Sequence, residues 1–486
     1  MRAALTLIVL AAAPDLGAAQ GAGEGGRLGT ITFPTSGSAA AQPEFLRGVL
    51  YLHSFEYERA GEAFRAAQRL DPGFAMAYWG EALSLTHPVW NEQDLPAARA
   101  ILARLAPNRE ARAAKAGTAR ERAWLEAVEL LYGDGPKAQR DTLYAAAMDR
   151  LAAAYPDDEA QAFRALAQLG LNQGVREAAA YMRAGSLALD LMHRNPDHPG
   201  AAHYAIHAFD DPVHAPLGLA AARAYSGIAP GAAHAQHMTT HIFLALGMWP
   251  EVIAQNVIAA GPDRSRWQAG HYTYWLHYGL LQAGRTEEAA ALLAELKAHQ
   301  SDSAAATAPR RIHLAMARAQ QVITGERWSD SALAWTIVIP PQATVARAVD
   351  GFAAGFAALH RGDSTLAAAR LAELRRLPSG TGLAAVPGLL ARQLEAVLAR
   401  RNGDRASADR LLRAVAEEAA ALPVEFGPPD FVKPPYELLG EWLLEDGRTD
   451  LARQAFTRSL ALMPRRALSL RGLGIAERQV GSGARP

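Results

Sequence analysis

Residues 436–464 read YELLGEWLLEDGRTDLARQAFTRSLALMP. Tyr436, Leu439, Gly440 and Leu443 recur three or four positions apart, which puts them on one stripe of a helix. Asp446, Gly447 and Arg448 break that pattern with turn residues. A second run then carries Ala452, Phe456 and Ser459 on one face until Pro464 ends it. Two helices joined by so short a turn lie antiparallel. Small residues at Gly440 and Ala452 let their axes approach, and the large residues fill the space towards the next unit. Such a pair cannot bury its apolar faces alone, so the stretch implies a stack of similar units.

A second unit occurs at 45–72, FLRGVLYLHSFEYERAGEAFRAAQRLDP, with Gly48, Tyr51, Ala60, Phe64, Ala67 and Pro72 on matching offsets. Glycine-centred turns between helical runs recur at Gly247, Gly284, Gly362 and Gly403. The spacing is close to 34 residues, and the pattern resembles the tetratricopeptide repeat (TPR). That resemblance implies an all-α chain, a right-handed α-solenoid of TPR-like helical hairpins, about ten of them, with a concave face suited to a partner. The segments AMAYWGEALSLTHPVW (75–90), HYAIHAFDDPVHAPLGLAAARAY (203–225), HMTTHIFLALGMW (237–249) and KPPYELLGEWLLEDGR (433–448) further resemble exported bacterial TPR proteins. This second resemblance implies the fold and export, and it supplies no reaction.

Composition narrows the function classes. The 486 residues are 50% apolar and 20% charged, which fits an ordered chain with ample core. Equal numbers of basic and acidic residues, 49 each, give no global field towards nucleic acid. Cysteine is absent, which removes disulfides, thiolate metal ligands and a cysteine nucleophile. Arg2, an apolar run over 3–13 and small residues at 17–19 read as a signal peptide spanning 1–19, placing the mature protein in the periplasm or outside the cell. That run is too short to span a membrane, and no later stretch of about twenty uninterrupted apolar residues follows. Residues 20–43 are expected to be a flexible leader, 44–267 a first repeat array with a histidine-rich segment, 268–480 a second array ending in a capping helix, and 481–486 a flexible tail. Residues 80–120 fit the repeat poorly and predict an inserted loop or helix.

Seven of the 15 histidines fall between 198 and 241, in HPGAAHYAIHAFDDPVHAP and HAQHMTTHIF. His203 and His207 precede His237 and His241 by one repeat length, and each pair is spaced i, i+4 on one helix face. On the first helices of successive hairpins the two pairs become neighbours, and four imidazoles could converge on a divalent transition metal such as zinc. Asp210 is placed to orient a ring or to coordinate, whereas Asp211 before Pro212 has the character of a helix cap. His271 lies a further 34 residues on, but the turn after it comes 37 residues after the preceding one, which suggests rotation to another face. The bland alternative is that the histidine echo records duplication and shared packing.

His234, Tyr274, Trp275 and Tyr278 are candidates for contact with a partner, with core packing as their alternative. Trp79, Glu81, His87, Trp90 and Glu92 could form an acid/base or sugar pocket, against a simpler role filling gaps between helices. No GxSxG, GxxxxGK[ST] or HExxH motif is present. Two functions follow. The first is an exported scaffold holding a peptide or partner protein in its concave face. The second is a metal-binding protein or metal-dependent hydrolase using His203, His207, His237, His241 and Asp210.

Overall fold

Where each hairpin reverses is set by its turn. Gly247, Gly284, Gly362, Gly403 and Gly447 all adopt positive φ, from 67° to 88°. A side chain with a Cβ is disfavoured there, which is why glycine recurs. The first hairpin makes the same reversal with Phe55 at φ 53°.

The structure, a computed structural model, describes residues 26–171, 177–261, 269–300, 307–424 and 426–483. Helix α1 (Gln42–His53) pairs with α2 (Tyr57–Leu70), and α3 (Ala75–Leu83) with α4 (Leu95–Leu105). After the short α5 (Arg109–Ala113), α6 (Ala119–Leu131) pairs with α7 (Lys137–Ala154), and α8 (Asp158–Leu169) with α9 (Ala178–Arg194). The central hairpins are α10 (Pro199–Ala208) with α11 (Ala215–Ile228), α12 (Ala233–Ala245) with α13 (Trp249–Ala260), and α14 (Ala269–Gln282) with α15 (Thr286–His299). Helix α16 (Ala308–Thr324) stands alone before α17 (Thr344–His360) with α18 (Ser364–Leu374) and α19 (Val386–Arg401) with α20 (Arg405–Ala420). Last come α21 (Pro435–Glu445) with α22 (Thr449–Leu462), and α23 (Ala467–Gly483). Neighbouring helices in this order pack on one another along the stack, which is the all-α, TPR-type solenoid expected. The poorly fitting region holds α5 and a small ribbon, β1 (Thr86–His87) paired with β2 (Glu92–Gln93).

Phe64 shows what sets the spacing between hairpins. A Cβ added to Gly48 of α1 would lie 2.7 Å from its ring, and one added to Gly80 of α3 would lie 2.3 Å from it. The outer helix α2 therefore drives its phenyl ring into a notch made by two glycines on the flanking inner helices. Phe456 of α22 repeats the arrangement between Gly440 of α21, at 2.8 Å, and Gly472 of α23, at 2.2 Å.

Both ends of the solenoid fold back on it. The expected flexible leader is in fact packed from Gly26 onward: Phe33 is 1% exposed and its ring meets Phe45, Trp79 and Trp124. Two apolar residues, Leu28 and Phe33, anchor an otherwise small-residue strap, and Thr30 N donates to Asp197 O at 2.9 Å. The signal peptide over 1–19 and the array boundary at 267/268 lie outside the described residues, and α23 continues to Gly483 through the start of the expected tail. At the other end, Arg466 is fully buried against Glu437, with Nε donating to Oε2 at 2.7 Å, and Trp249 Nε1 donates to Arg465 O at 3.1 Å. Ala467 N donates to Gln282 Oε1 at 2.9 Å, so the last helix is tied to α14. Among the described residues one stretch, Gly382–Arg401, is long and apolar enough to cross a membrane. Here it is the inner helix α19, whose Leu389, Leu390 and Leu394 are buried between α17 and α20.

The glycine notch predicts a graded response to added methyl groups. Gly80→Ala is expected to cost about 1–3 kcal/mol in urea unfolding because the ring of Phe64 has nowhere to go. Gly284→Ala meets nothing within 4 Å and should cost only the backbone strain of its positive φ, about 1 kcal/mol. A larger loss at Gly284 than at Gly80 would contradict the notch.

Candidate metal centre

Helices α10, α12 and α14 are the inner helices of three consecutive hairpins, and their sequences explain why they lie so close. Pro199–Ala208 and His234–Phe243 are buried on every face, and the first of them is rich in alanine. Gly185 faces the ring of Phe209 and Gly218 faces Ile242, each at a distance no Cβ could tolerate, 2.4 Å and 2.7 Å. At this spacing residues one repeat apart come side by side. His203, His207, His234, His237 and His241 are all buried, His271 half-buried.

These histidines form two triplets instead of the single group of four expected. In one, His237 and His241 are joined by His271: His237 Nε2 lies 3.2 Å from His241 Nε2 and 3.0 Å from His271 Nε2. His271 therefore keeps the register that the longer turn spacing argued against. In the other triplet, His203 and His207 meet His234.

The protonation pattern of the first triplet is set by its outer partners. Asn256 Nδ2 donates to Val252 O at 3.0 Å, which turns its Oδ1 towards His237 Nδ1 at 2.8 Å. An amide oxygen only accepts, so His237 Nδ1 carries the proton and Nε2 a lone pair. Asp210 Oδ2 sits 2.5 Å from His241 Nδ1, which places a proton on Nδ1 and turns Nε2 towards His237. The two Nε2 atoms face each other at 3.2 Å, a spacing that either a shared proton or a bound cation would satisfy. Burial holds His237 and His271 well below the usual imidazole range, His241 adding to the effect at His237 and His237 to that at His271. Nitrogens bound to one tetrahedral zinc at 2.0–2.1 Å stand about 3.3 Å apart, close to the spacing seen. A carboxylate or amide on the remote nitrogen of a ligating imidazole is the usual second partner at such centres.

Of the triplet, His271 lines a cleft of about 650 Å³, together with Trp275, His313, Trp90 and Phe426. The ring of Trp275 lies 4.4 Å from that of His241 and 4.8 Å from that of His237, and Phe426 covers His241 at 6.2 Å. His271, half-buried, is the member of the triplet that reaches the cleft. Asn256, Phe426 and His313 were not singled out from sequence; only His271 had a signal there, the 34-residue step.

The remaining candidates fall elsewhere. Tyr274 and Trp275, 5% and 2% exposed, are buried in the cleft wall, whereas Tyr278, also 2% exposed, packs on Trp249 away from it. His234 is buried in the second triplet. Trp79 is a core residue against Trp124 and Phe163. Glu81 pairs with Arg65 and Arg104. His87 stacks on Tyr57, with Glu92 at 3.3 Å, and Trp90 arches over His207 and His234. Asp211 caps a turn, its Oδ1 accepting from Val213 N and His214 N, although the helix itself starts at Ala215.

A third cluster, His53, Glu159 and His198, brings similar groups together with a different outcome. His198 Nδ1 accepts from Ala201 N, so its Nε2 donates to Glu159 Oε1 at 3.2 Å. His53 Nε2 donates to Glu159 Oε2 at 2.8 Å while its Nδ1 accepts from Tyr204 at 2.8 Å. Every polar atom is paired, so this is a structural knot joining α1, α8 and α10.

No family model matches the chain, and no curated protein matches it. Among solved structures it is similar to the human IFIT1 dimer with m7Gppp-AAAA, at 11% identity over 92% of this chain and 91% of that one, TM-score 0.40. Yeast Tom70 aligns at 12% identity over 91% and 96% of the chains, TM-score 0.34, and Cut9 of the APC/C hetero-tetramer Cut9-Hcn1 at 13% over 91% and 77%, TM-score 0.36. Similarity at this level carries no argument about this chain, whose repeat architecture rests on its own hairpins and turn glycines.

The knot predicts an acid-sensitive fold. Burial alone would push Glu159 up, but His53 and His198 outweigh it and hold the carboxyl at about 2, against an ordinary 4.5. Its contribution is thus complete above the ordinary carboxylate range and fades as pH falls from about 4.5 towards about 2. Glu159→Gln should lose about 3–5 kcal/mol near neutral pH and show a flatter decline in acid, both measurable by urea unfolding across pH. An unchanged acid limb in the variant would contradict this role.

Proposed function

We propose that this chain is a transition-metal protein in which His237, His241 and His271 hold a divalent ion, zinc by preference, beside the cleft that His271 lines. The observation that carries the reading is the convergence of three Nε2 atoms whose remote nitrogens, on His237 and His241, are already committed to Asn256 and Asp210. Three neutral imidazoles with one side open to a cleft suit a tetrahedral ion whose fourth position takes water or a ligand. Such an ion makes bound water a nucleophile near neutral pH, so hydrolysis is the reaction class this centre fits. His203 and His207, expected in the same site, belong to the neighbouring triplet.

The scaffold reading, an exported protein holding a peptide or partner in its concave face, draws support from the aromatic cleft walls and from the signal-like pattern of residues 2–19. Because α14 and the segment around Phe426 line the cleft, it suits a short segment inserted end-on, and that segment is compatible with being the substrate of the metal centre.

Full-length protein expressed with its signal and purified without a histidine tag should contain near-stoichiometric zinc, copper or nickel by elemental mass spectrometry. His271→Ala, at the half-exposed edge of the centre, should remove one equivalent while leaving the fold intact by circular dichroism. Metal-free, folded wild-type protein that gains no thermal stability from added Zn²⁺, Co²⁺, Ni²⁺ or Cu²⁺ would overturn the proposal.

A further inference from the structure

Behind the centre proposed above, and resting on different residues, the structure holds a second set of imidazoles. His203, His207 and His234 each offer a ring nitrogen such that all three lie within 4.8 Å of one another. His203 Nδ1 donates to the carbonyl of His53 at 2.6 Å, which leaves its Nε2 as a lone pair. That Nε2, fully buried, has no hydrogen-bond partner among the described residues, and neither ring nitrogen of His234 has one. Buried polar nitrogens are almost always paired, and those in the His53, Glu159 and His198 knot one shell away all are. Unpaired ring nitrogens of His203 and His234 gathered this closely are what a cation would satisfy.

The surroundings say which cation. Phe55 lies 4.2 Å from the ring of His203 and 5.4 Å from that of His207, Tyr225 stacks on His203, and the edge of Trp90 covers His207 and His234. Burial holds His203 and His234 well below the usual imidazole range, with His207 and His203 respectively as the next cause. The donors are imidazole nitrogens in an aromatic, enclosed setting, the choice of zinc or copper over magnesium or calcium. The geometry points to a second transition-metal site at His203, His207 and His234, enclosed where the first is open. The two are neighbours: the rings of His207 and His241 are 6.0 Å apart and those of His234 and His237 are 6.2 Å apart. An ion in the enclosed site would add positive charge beside the open one and would strengthen its pull on an anionic or carbonyl ligand in the cleft.

The test is a Co²⁺ and Zn²⁺ titration of chelator-stripped, full-length protein, read by cobalt absorption and by metal content after gel filtration. Two equivalents are expected in wild type. His234→Gln, which keeps the side-chain volume roughly constant, should bind one, His271→Ala should bind the other, and the double variant none. His203→Gln serves as a second probe should His234→Gln fail to fold by circular dichroism. One equivalent in wild type that survives in His234→Gln and His203→Gln but is lost in His271→Ala would overturn the second site alone. No binding in wild type would overturn both sites.

Discussion

Everything in this molecule depends on how closely its inner helices can approach. Phe64 and Phe456 are seated against glycines on both flanking helices, and in the central hairpins alanine, Gly185 and Gly218 do the same work. Helices held at so short a separation turn a step of one repeat in sequence into a side-chain contact in space. A histidine repeated at that step then meets its own copy. The contacts of His207 with His241 and of His237 with His271 are the chemical consequence of that geometry.

Such a cluster is expensive to bury, since an unpaired buried nitrogen costs about 1–3 kcal/mol. The molecule handles this in two ways. Around Glu159 it supplies a partner for every nitrogen, and the result is a tie between the first hairpin and the central ones. Around His237 and His234 it pairs only the outward nitrogens, through Asn256, Asp210 and the His53 carbonyl, and leaves the inward ones facing one another. Residues that differ so little in type are thus separated by what lies behind them. The surrounding shell, Trp275, Phe426 and Trp90, then decides how much water reaches them.

Much of this was legible in the sequence because it is periodic. The hairpins, their turn glycines and the pairing of residues 34 apart all follow from repetition, and Asp210 was recognisable as the carboxylate free to face a ring. His271 was set aside because the turn spacing lengthens to 37, yet the extra residues fall after it: His237 to Gly247 is 10 residues and His271 to Gly284 is 13. The histidine therefore keeps its register and only the far end of α14 is longer. Asn256 on an outer helix and Phe426 in the loop after α20 have no periodic signal, since each reaches the site through a tertiary contact. The leader was misread because its two anchors, Leu28 and Phe33, are diluted among small residues, and burial of single aromatics leaves no pattern in composition.

The most direct test of the central claim is anomalous diffraction from crystals of the zinc-loaded protein, recorded on both sides of the metal edge. A peak bound by the Nε2 atoms of His237, His241 and His271 at about 2.0–2.1 Å, with Asp210 and Asn256 still on the outer nitrogens, is the predicted result. Density at surface carboxylates alone, with the three rings unmoved and no peak between them, would contradict the account.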